Sequence, residues 1–349
     1  MAKKKKQNAG LRRTLIVLSI VLGVILAALI AATVYADRLL GLINYVDRDA
    51  TVPTLSQEEM NALLEEETED PDFTGPELNE EDVLLETAPT MEETSENVVT
   101  ILLIGADSTN GKNARSDSMI LCTLNKTQNT ITLTSLLRDM YVRIPGHSNN
   151  RINASFAWGG IPLLEDTIEE NFGVKADGVV MIDFSHFEEL IDLLGGIELD
   201  LTYAEASFVN MKARCSLKTG VQTLNGKQAL WYSRFRGTAS GDLARTNRQR
   251  VVLTTLLNEY KNQSMTELLG LLDDILPMIT TTMTQDEILG YVKDFFPMLA
   301  TAEIQSYRIP VEGEYYLAKI NGMSVFVVDI AANAAELHRI ISEFPEGVG

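Results

Sequence analysis

Val98-Val99-Thr100-Ile101-Leu102-Leu103-Ile104 carries no charge and is closed by Gly105. A short apolar run with a glycine stop reads as a strand buried on both faces. Two further strand-like runs follow at 118–124 and 130–136, joined by Asn125-Lys126-Thr127-Gln128-Asn129. Turn residues at that spacing predict a hairpin. Helical periodicity then appears at 161–171, 185–194, 242–260, 265–276, 285–299 and 330–342, with short strands at 178–182, 197–201 and 324–328. Strands alternating with helices indicate a layered α/β domain. No linker interrupts residues 98–345, so that span is expected to be one domain.

The first strands converge on one rim. Asp107 follows the first strand, Arg115 and Asp117 precede the second, and Arg138 and Asp139 follow the third. A hairpin of the second and third strands brings all five residues to one sheet edge, the usual ligand crevice of an open α/β sheet. On the helix beginning at Asp242, Asp242, Arg245 and Gln249 fall within an arc of roughly 60°. They cap an apolar stripe of Val252, Leu253 and Leu256 and are expected to point inward. Arg248 and Arg250 lie off that arc and are expected at the surface. Arg234 and Arg236 share one face if their segment is extended, with Phe235 on the other. An internal Asp–Arg salt-bridge network explains the helix triplet as well as a ligand site does.

The arginines stand in a chain with a formal net charge of -20. A guanidinium binds phosphate oxygens bidentately and keeps its charge. A concentrated arginine site on a repelling background implies a small, highly anionic ligand. The acidic balance argues against a nucleic-acid partner, which needs a broad neutralising surface. Arg138, Arg234, Arg236 and Arg245 suit a diphosphate, and Asp107 with Asp117 suits Mg2+, which favours one or two carboxylates together with water and phosphate oxygens. Such a set describes phosphoryl transfer.

Lys3 to Lys6, Arg12 and Arg13 precede an uncharged run over 14–36, long enough to span a bilayer. The expectation is a cytoplasmic basic tail over 1–13, a transmembrane anchor over 14–36, and everything beyond it outside the cell. Residues 51–97 hold sixteen acidic residues and no Lys or Arg. Residues 37–97 are therefore expected to be an acidic extracellular linker, extended by self-repulsion. Cys122 and Cys215 show no pattern that demands a disulfide. His147, His186 and His338 have no metal-ligand spacing. No ATP pool exists outside the cell, so a phosphate donor must arrive with the membrane. A lipid-linked pyrophosphate meets that need. Helices 185–194 and 265–276 could line a groove for its isoprenoid chain, although ordinary core packing accounts for both.

These residues resemble the LytR-CpsA-Psr family of cell-wall ligases. The matching blocks are Ile101-Leu102-Leu103-Ile104-Gly105-Ala106-Asp107, Arg115-Ser116-Asp117-Ser118-Met119, Arg138-Asp139-Met140-Tyr141-Val142 and Arg151-Ile152-Asn153-Ala154. Asp192-Leu193-Leu194-Gly195-Gly196-Ile197, Leu224-Asn225-Gly226 and the arginine cluster through Arg250 continue the series. The resemblance implies an α/β fold with a central mixed sheet flanked by helices and a hydrophobic tunnel for a polyprenyl tail. It implies transfer of a glycopolymer phosphate from polyprenyl pyrophosphate to a sugar hydroxyl of peptidoglycan.

By the same resemblance, Asp107 and Asp117 are magnesium-associated, and Arg115 and Arg138 belong to the phosphate centre. Arg234, Arg236, Arg245 and Gln249 contact the pyrophosphate, with Asp242 an ordering or catalytic partner. Asp139 and Asp242 are both candidates for proton removal. Leu137 and Ala106 depart from the family's usual proline and threonine. A lipid pyrophosphate hydrolase and a non-catalytic lipid- or wall-binding module are the competing readings. The polymer, whether teichoic acid, capsule or another glycan, is left open.

Overall fold

The computed structural model describes residues 35–48, 75–86, 88–91, 95–107, 116–237, 241–260 and 265–342. The basic tail, nearly all of the expected membrane span, Arg115 and much of the acidic segment lie outside the described residues. Among the described residues no helix is long and apolar enough to cross a membrane.

The apolar run Val98–Ile104 lies in strand β3 (Val98–Ala106), in the middle of a seven-stranded mixed sheet. The sheet order is β1 (Asn44–Tyr45), β11 (Thr280–Thr281), β8 (Gly178–Asp183), β3, β4 (Ser116–Asn125), β5 (Thr130–Leu136), β12 (Glu303–Ile309). β3 pairs antiparallel with β4 and parallel with β8, which is why it needs apolar side chains on both faces. The hairpin of β4 and β5 forms as expected, with Asn125 opposite Thr130. A second sheet of five strands has the order β2 (Glu77–Leu78), β13 (Tyr315–Ile320), β14 (Met323–Val328), β6 (Met140–Val142), β7 (Asn150–Arg151). The chain passes directly from β5 to β6 through Leu137-Arg138-Asp139, so the two sheets meet at that arginine.

Helix α1 (Ile152–Phe172) and helix α8 (Ile330–Ser342) cover one face of the large sheet and enclose the main core, which includes Leu102, Met119, Leu121, Trp158, Leu164 and Leu337. Only 161–171 of α1 was expected. The earlier turns bury Ile152, Ala154, Phe156 and Trp158, and the helix breaks at Gly160, where φ is 65° and ψ is −151°. Gly159, Gly160 and Pro162 are poor helix formers, yet packing keeps both halves helical.

The opposite face carries a second cluster. Val99, Ile101, Ile120, Ile131 and Leu133 pack there against helix α7 (Gln285–Phe295) and against Leu253 and Leu257 of helix α5 (Gly241–Tyr260). A third cluster joins helix α2 (Phe184–Leu193), helix α3 (Tyr203–Ala213), helix α4 (Gly226–Ser233) and the hairpin of β9 (Ile197–Leu201) and β10 (Gly220–Leu224). Val252 and Leu256 of α5 face this lobe, so α5 is wedged between two cores. Helix α2 spends its apolar side chains, Phe187 and Ile191, within the lobe, which is ordinary core packing. Helix α6 (Met265–Ile275) completes the set.

The expected linker over 37–97 needs correction. Its described parts belong to the fold. Leu39, Leu40 and Ile43 are buried, Arg38 pairs with Asp273 at 3.0 Å, and β1 closes one edge of the large sheet. β2 pairs with β13, Val83 and Leu85 enter the main core, and the Leu85 carbonyl accepts from Arg143 Nη2. Sixteen carboxylates set the composition of the segment, but the few apolar residues of its described parts are enough to dock those parts.

Candidate active site

Three elements deliver the charged residues. The turn between β5 and β6 presents Arg138 and Asp139. The start of β4 presents Asp117, and the first turns of α5 present Asp242, Arg245 and Gln249. Arg138 Nη1 donates to Asp117 Oδ1 at 2.7 Å. Its Nε lies 3.4 Å from Asp139 Oδ2 and 3.8 Å from Asp242 Oδ2. Asp242 Oδ1 is 3.1 Å from both Arg245 Nη1 and Arg236 Nε. Gln249 Nε2 donates to the Asp117 carbonyl at 3.2 Å. The arc read on α5 therefore does face inward. Arg151, at the entrance to α1, joins with Nη1 3.5 Å from Asp139 Oδ1. It was not a candidate site residue, although it opens one of the blocks that carry the family resemblance, because nothing in its spacing places it on the rim.

Arg234 caps the C-terminus of α4 and stacks on Phe184 and Trp231, its guanidinium 4.9 and 5.3 Å from their ring centroids. Its charge is felt at Asp117. Asp107 lies just past β3 on the exposed side of the rim. Asp139 and Arg245 are buried, Asp117 and Asp242 nearly so, while the Arg236 side chain keeps 48% of its surface. The cluster thus has a sealed floor and a cationic mouth.

Arg248 and Arg250 were expected at the surface, and both are buried. Arg248 points into the lobe and pairs with Glu205 at 2.7 Å. Arg250 bonds Asn247 Oδ1 at 3.2 Å. Helix periodicity identified one inward face correctly. It missed the others because α5 is covered by two cores.

The electrostatics show an excess of positive charge. Burial favours the neutral form of Asp117 and Asp139, but Arg138 above all, with Arg245, holds both carboxyls below their ordinary range. Arg236 is pushed down to about 10, by burial first and then by the cations Arg245 and Arg138. Among the described residues, Arg138, Arg151, Arg234, Arg236 and Arg245 outnumber Asp107, Asp117, Asp139 and Asp242 by one charge. An anion seated at the mouth would relieve that excess.

Among the described residues, no group of three or more His, Cys, Asp or Glu has the arrangement to hold a metal ion. Asp107 and Asp117 flank the rim from neighbouring strands, Ala106 pairing with Ser116. As a donor set, two carboxylates fit a hard cation whose other ligands are water and phosphate oxygens. Cys122 and Cys215 are free thiols.

The chain matches the LytR_cpsA_psr family over residues 57–340. It is 30% identical over 219 residues to the regulatory protein MsrR of Staphylococcus aureus strain COL, across 62% of this chain and 66% of MsrR. It is 35% identical over 189 residues to the polyisoprenyl-teichoic acid–peptidoglycan teichoic acid transferase TagU of Bacillus licheniformis, across 53% of this chain and 60% of TagU. The matched region thus spans just under two thirds of the length of these relatives. The solved structure of TagT bound to LIIa-WTA superposes with a TM-score of 0.59 at 26% identity, across 72% of this chain and 92% of that one.

Proposed function

Because this chain belongs to the LytR-CpsA-Psr family, we propose that it is a membrane-anchored phosphotransferase. Working outside the cell, it moves a glycopolymer phosphate from a polyprenyl-pyrophosphate-linked donor to a sugar hydroxyl of peptidoglycan. The observation that carries this reading is the convergence of Arg138, Arg151, Arg236 and Arg245 from separated segments on one rim, with Arg236 at its half-exposed mouth. The name of TagU adds that a relative transfers teichoic acid from a polyisoprenyl carrier.

Arg236, Arg245 and Arg138 would grip the non-bridging oxygens of the pyrophosphate, and Gln249 would hold the Asp117 backbone in register. The acceptor oxygen forms a bond to the glycan-linked phosphorus. The bond from that phosphorus to the bridging oxygen breaks, and polyprenyl phosphate leaves. Asp242 stands beside the half-exposed Arg236, so it is the carboxylate an incoming hydroxyl can reach to lose its proton. Asp139, sealed beneath, would orient Arg138 and Arg151. Arg115 would add a further cation at this centre. Mg2+ would be held by Asp107 and Asp117 and would supply charge neutralisation at the phosphate oxygens.

A hydrophobic tunnel for the lipid fits the second face of the large sheet. Leu103, Cys122, Leu124 and Val180 lie on central strands beneath α5 and α7, yet remain only partly buried. Burial nonetheless pushes the Cys122 thiol up to about 12.

The direct test supplies the full-length chain with a lipid pyrophosphate-linked glycan, peptidoglycan and Mg2+. Coupled product is expected, with Arg236→Ala lowering its rate about 100-fold or more by analogy with a lost oxyanion donor. Absence of product with the native chain sinks the reading. Phosphorylated glycan released equally well without peptidoglycan replaces transfer with hydrolysis. Chelation of Mg2+ is expected to stop coupling, and Asp107→Asn to raise the Mg2+ concentration required.

A further inference from the structure

The segment Arg234-Phe235-Arg236-Gly237 has no regular secondary structure, yet it carries two of the proposed phosphate contacts. Something must set where those guanidiniums point, and Phe235 is the anchored residue. Its side chain is 6% exposed, and its ring lies 4.7 Å from that of Phe208. The Arg248 guanidinium stacks over the same ring at 4.7 Å, and Arg248 Nη1 donates to the Phe235 carbonyl at 3.0 Å. One side chain thus fixes both the ring and the backbone between Arg234 and Arg236.

Arg248 is itself held from behind. Its Nε donates to Glu205 Oε1 at 2.7 Å. The other carboxylate oxygen, Oε2, accepts from Thr202 N at 2.9 Å and Thr202 Oγ1 at 2.7 Å, closing the capping box of α3. Glu205 therefore joins the start of α3 to α5, and Arg248 carries that link to the loop. Arg248 also follows Arg245 by three residues and precedes Gln249 by one on the same helix. Helix α5 supplies one part of the phosphate grip and clamps the loop that supplies the other.

We propose that Arg248, braced by Glu205, is a positioning residue that sets Arg234 and Arg236 against Arg245 at the spacing a pyrophosphate requires. The proposal rests on the reading of those arginines as phosphate contacts. Arginine is required chemically. A planar guanidinium can satisfy Glu205 through Nε, the Phe235 carbonyl through Nη1 and the ring through its face, all at once. Lysine can keep the ion pair but cannot do all three.

Arg248→Lys in the full-length chain in detergent separates positioning from bulk stability. Three measurements are made on the native chain, Arg248→Lys, Glu205→Gln and Arg236→Ala: the melting midpoint, the affinity for farnesyl pyrophosphate, and amide exchange across 234–237. Arg248→Lys is expected to melt within about 4 °C of the native chain. It should bind farnesyl pyrophosphate about tenfold more weakly, the scale of one lost charge-assisted hydrogen bond. Exchange should rise at Phe235, Arg236 and Gly237 and stay native elsewhere. Glu205→Gln, which still accepts from Arg248, should show the same pattern more weakly.

Native exchange in the loop together with native affinity in Arg248→Lys overturns the proposal. So does faster exchange throughout the domain, since that reduces the pair to a support of the fold. If the native chain fails to bind farnesyl pyrophosphate, the functional reading fails. The exchange measurement then still decides whether Arg248 holds the loop.

Discussion

Asp117 and Arg138 are 21 positions apart in the chain and 2.7 Å apart in the fold. Their ion pair ties the start of β4 to the turn leaving β5, and both side chains are largely buried. Asp117→Ala would leave Arg138 and its neighbouring cations with one carboxylate fewer. Removing one partner of a buried pair costs about 3–5 kcal/mol. The expected result is a loss of that order in denaturant titration, partly recovered when pyrophosphate is added. A variant as stable as the native chain would show that the pair contributes nothing to the fold.

The same cluster sets the response to acid. Asp117 and Asp139 have folded pKa values below their unfolded ones. Unfolded carboxyls titrate near about 3.9, so the stabilisation is complete above about pH 4 and is lost as pH falls toward the lower folded values. Burial raises Glu165 and Asp177, whose contribution grows as pH falls toward about 4 and is constant below it, so the loss below pH 4 is not theirs. Unfolding free energy followed by urea titration below pH 4 should drop steeply in the native chain. In Asp117→Asn/Asp139→Asn it should drop less steeply, and equal slopes would refute the assignment.

Arg250 is a buried cation with poor support. Burial and then the charge of Arg308 push it down to about 10, and its Nε and Nη1 have no hydrogen-bond partner among the described residues. Replacing a poorly satisfied buried charge by an apolar side chain of similar length is often neutral or stabilising by about 1 kcal/mol or more. Arg250→Met is therefore expected to melt at or above the native temperature. A drop equivalent to about 2 kcal/mol would instead reveal a role for its charge.

Gly226 begins α4 against the backbone of α2. A Cβ there would lie 1.9 Å from the Glu188 carbonyl oxygen, so the two helices must separate to admit alanine. Overpacking of this kind costs about 1–3 kcal/mol. Because α4 ends at Arg234, Gly226→Ala should also weaken pyrophosphate binding. Native stability in that variant would mean that α2 and α4 slide apart without penalty.

Much of this fold was legible without coordinates, for identifiable reasons. Val98 to Ile104 could be read as a central strand because only a strand covered on both faces needs seven such residues in a row. Asp242, Arg245 and Gln249 could be placed on one face because helical periodicity is local. Strand β14 was read at 324–328, but its hairpin partner β13 and strand β12 were missed. β12 is an edge strand and β13 lies next to one, and both mix exposed with buried residues, so no run or clean alternation marks them.

The sequence by itself determined the class of the fold, the rim that collects Asp117, Arg138 and Asp139, and the family. Spacing within one strand or helix, together with ordered motifs, is enough for these. Only the tertiary structure decided that Arg151 joins the site, that Arg248 turns away to clamp Phe235, and that the described parts of the acidic segment dock on the fold. Those outcomes depend on which surfaces cover a residue from other parts of the chain. Burial by distant segments leaves no periodic trace, and it decides whether a charge faces a ligand, a partner or water.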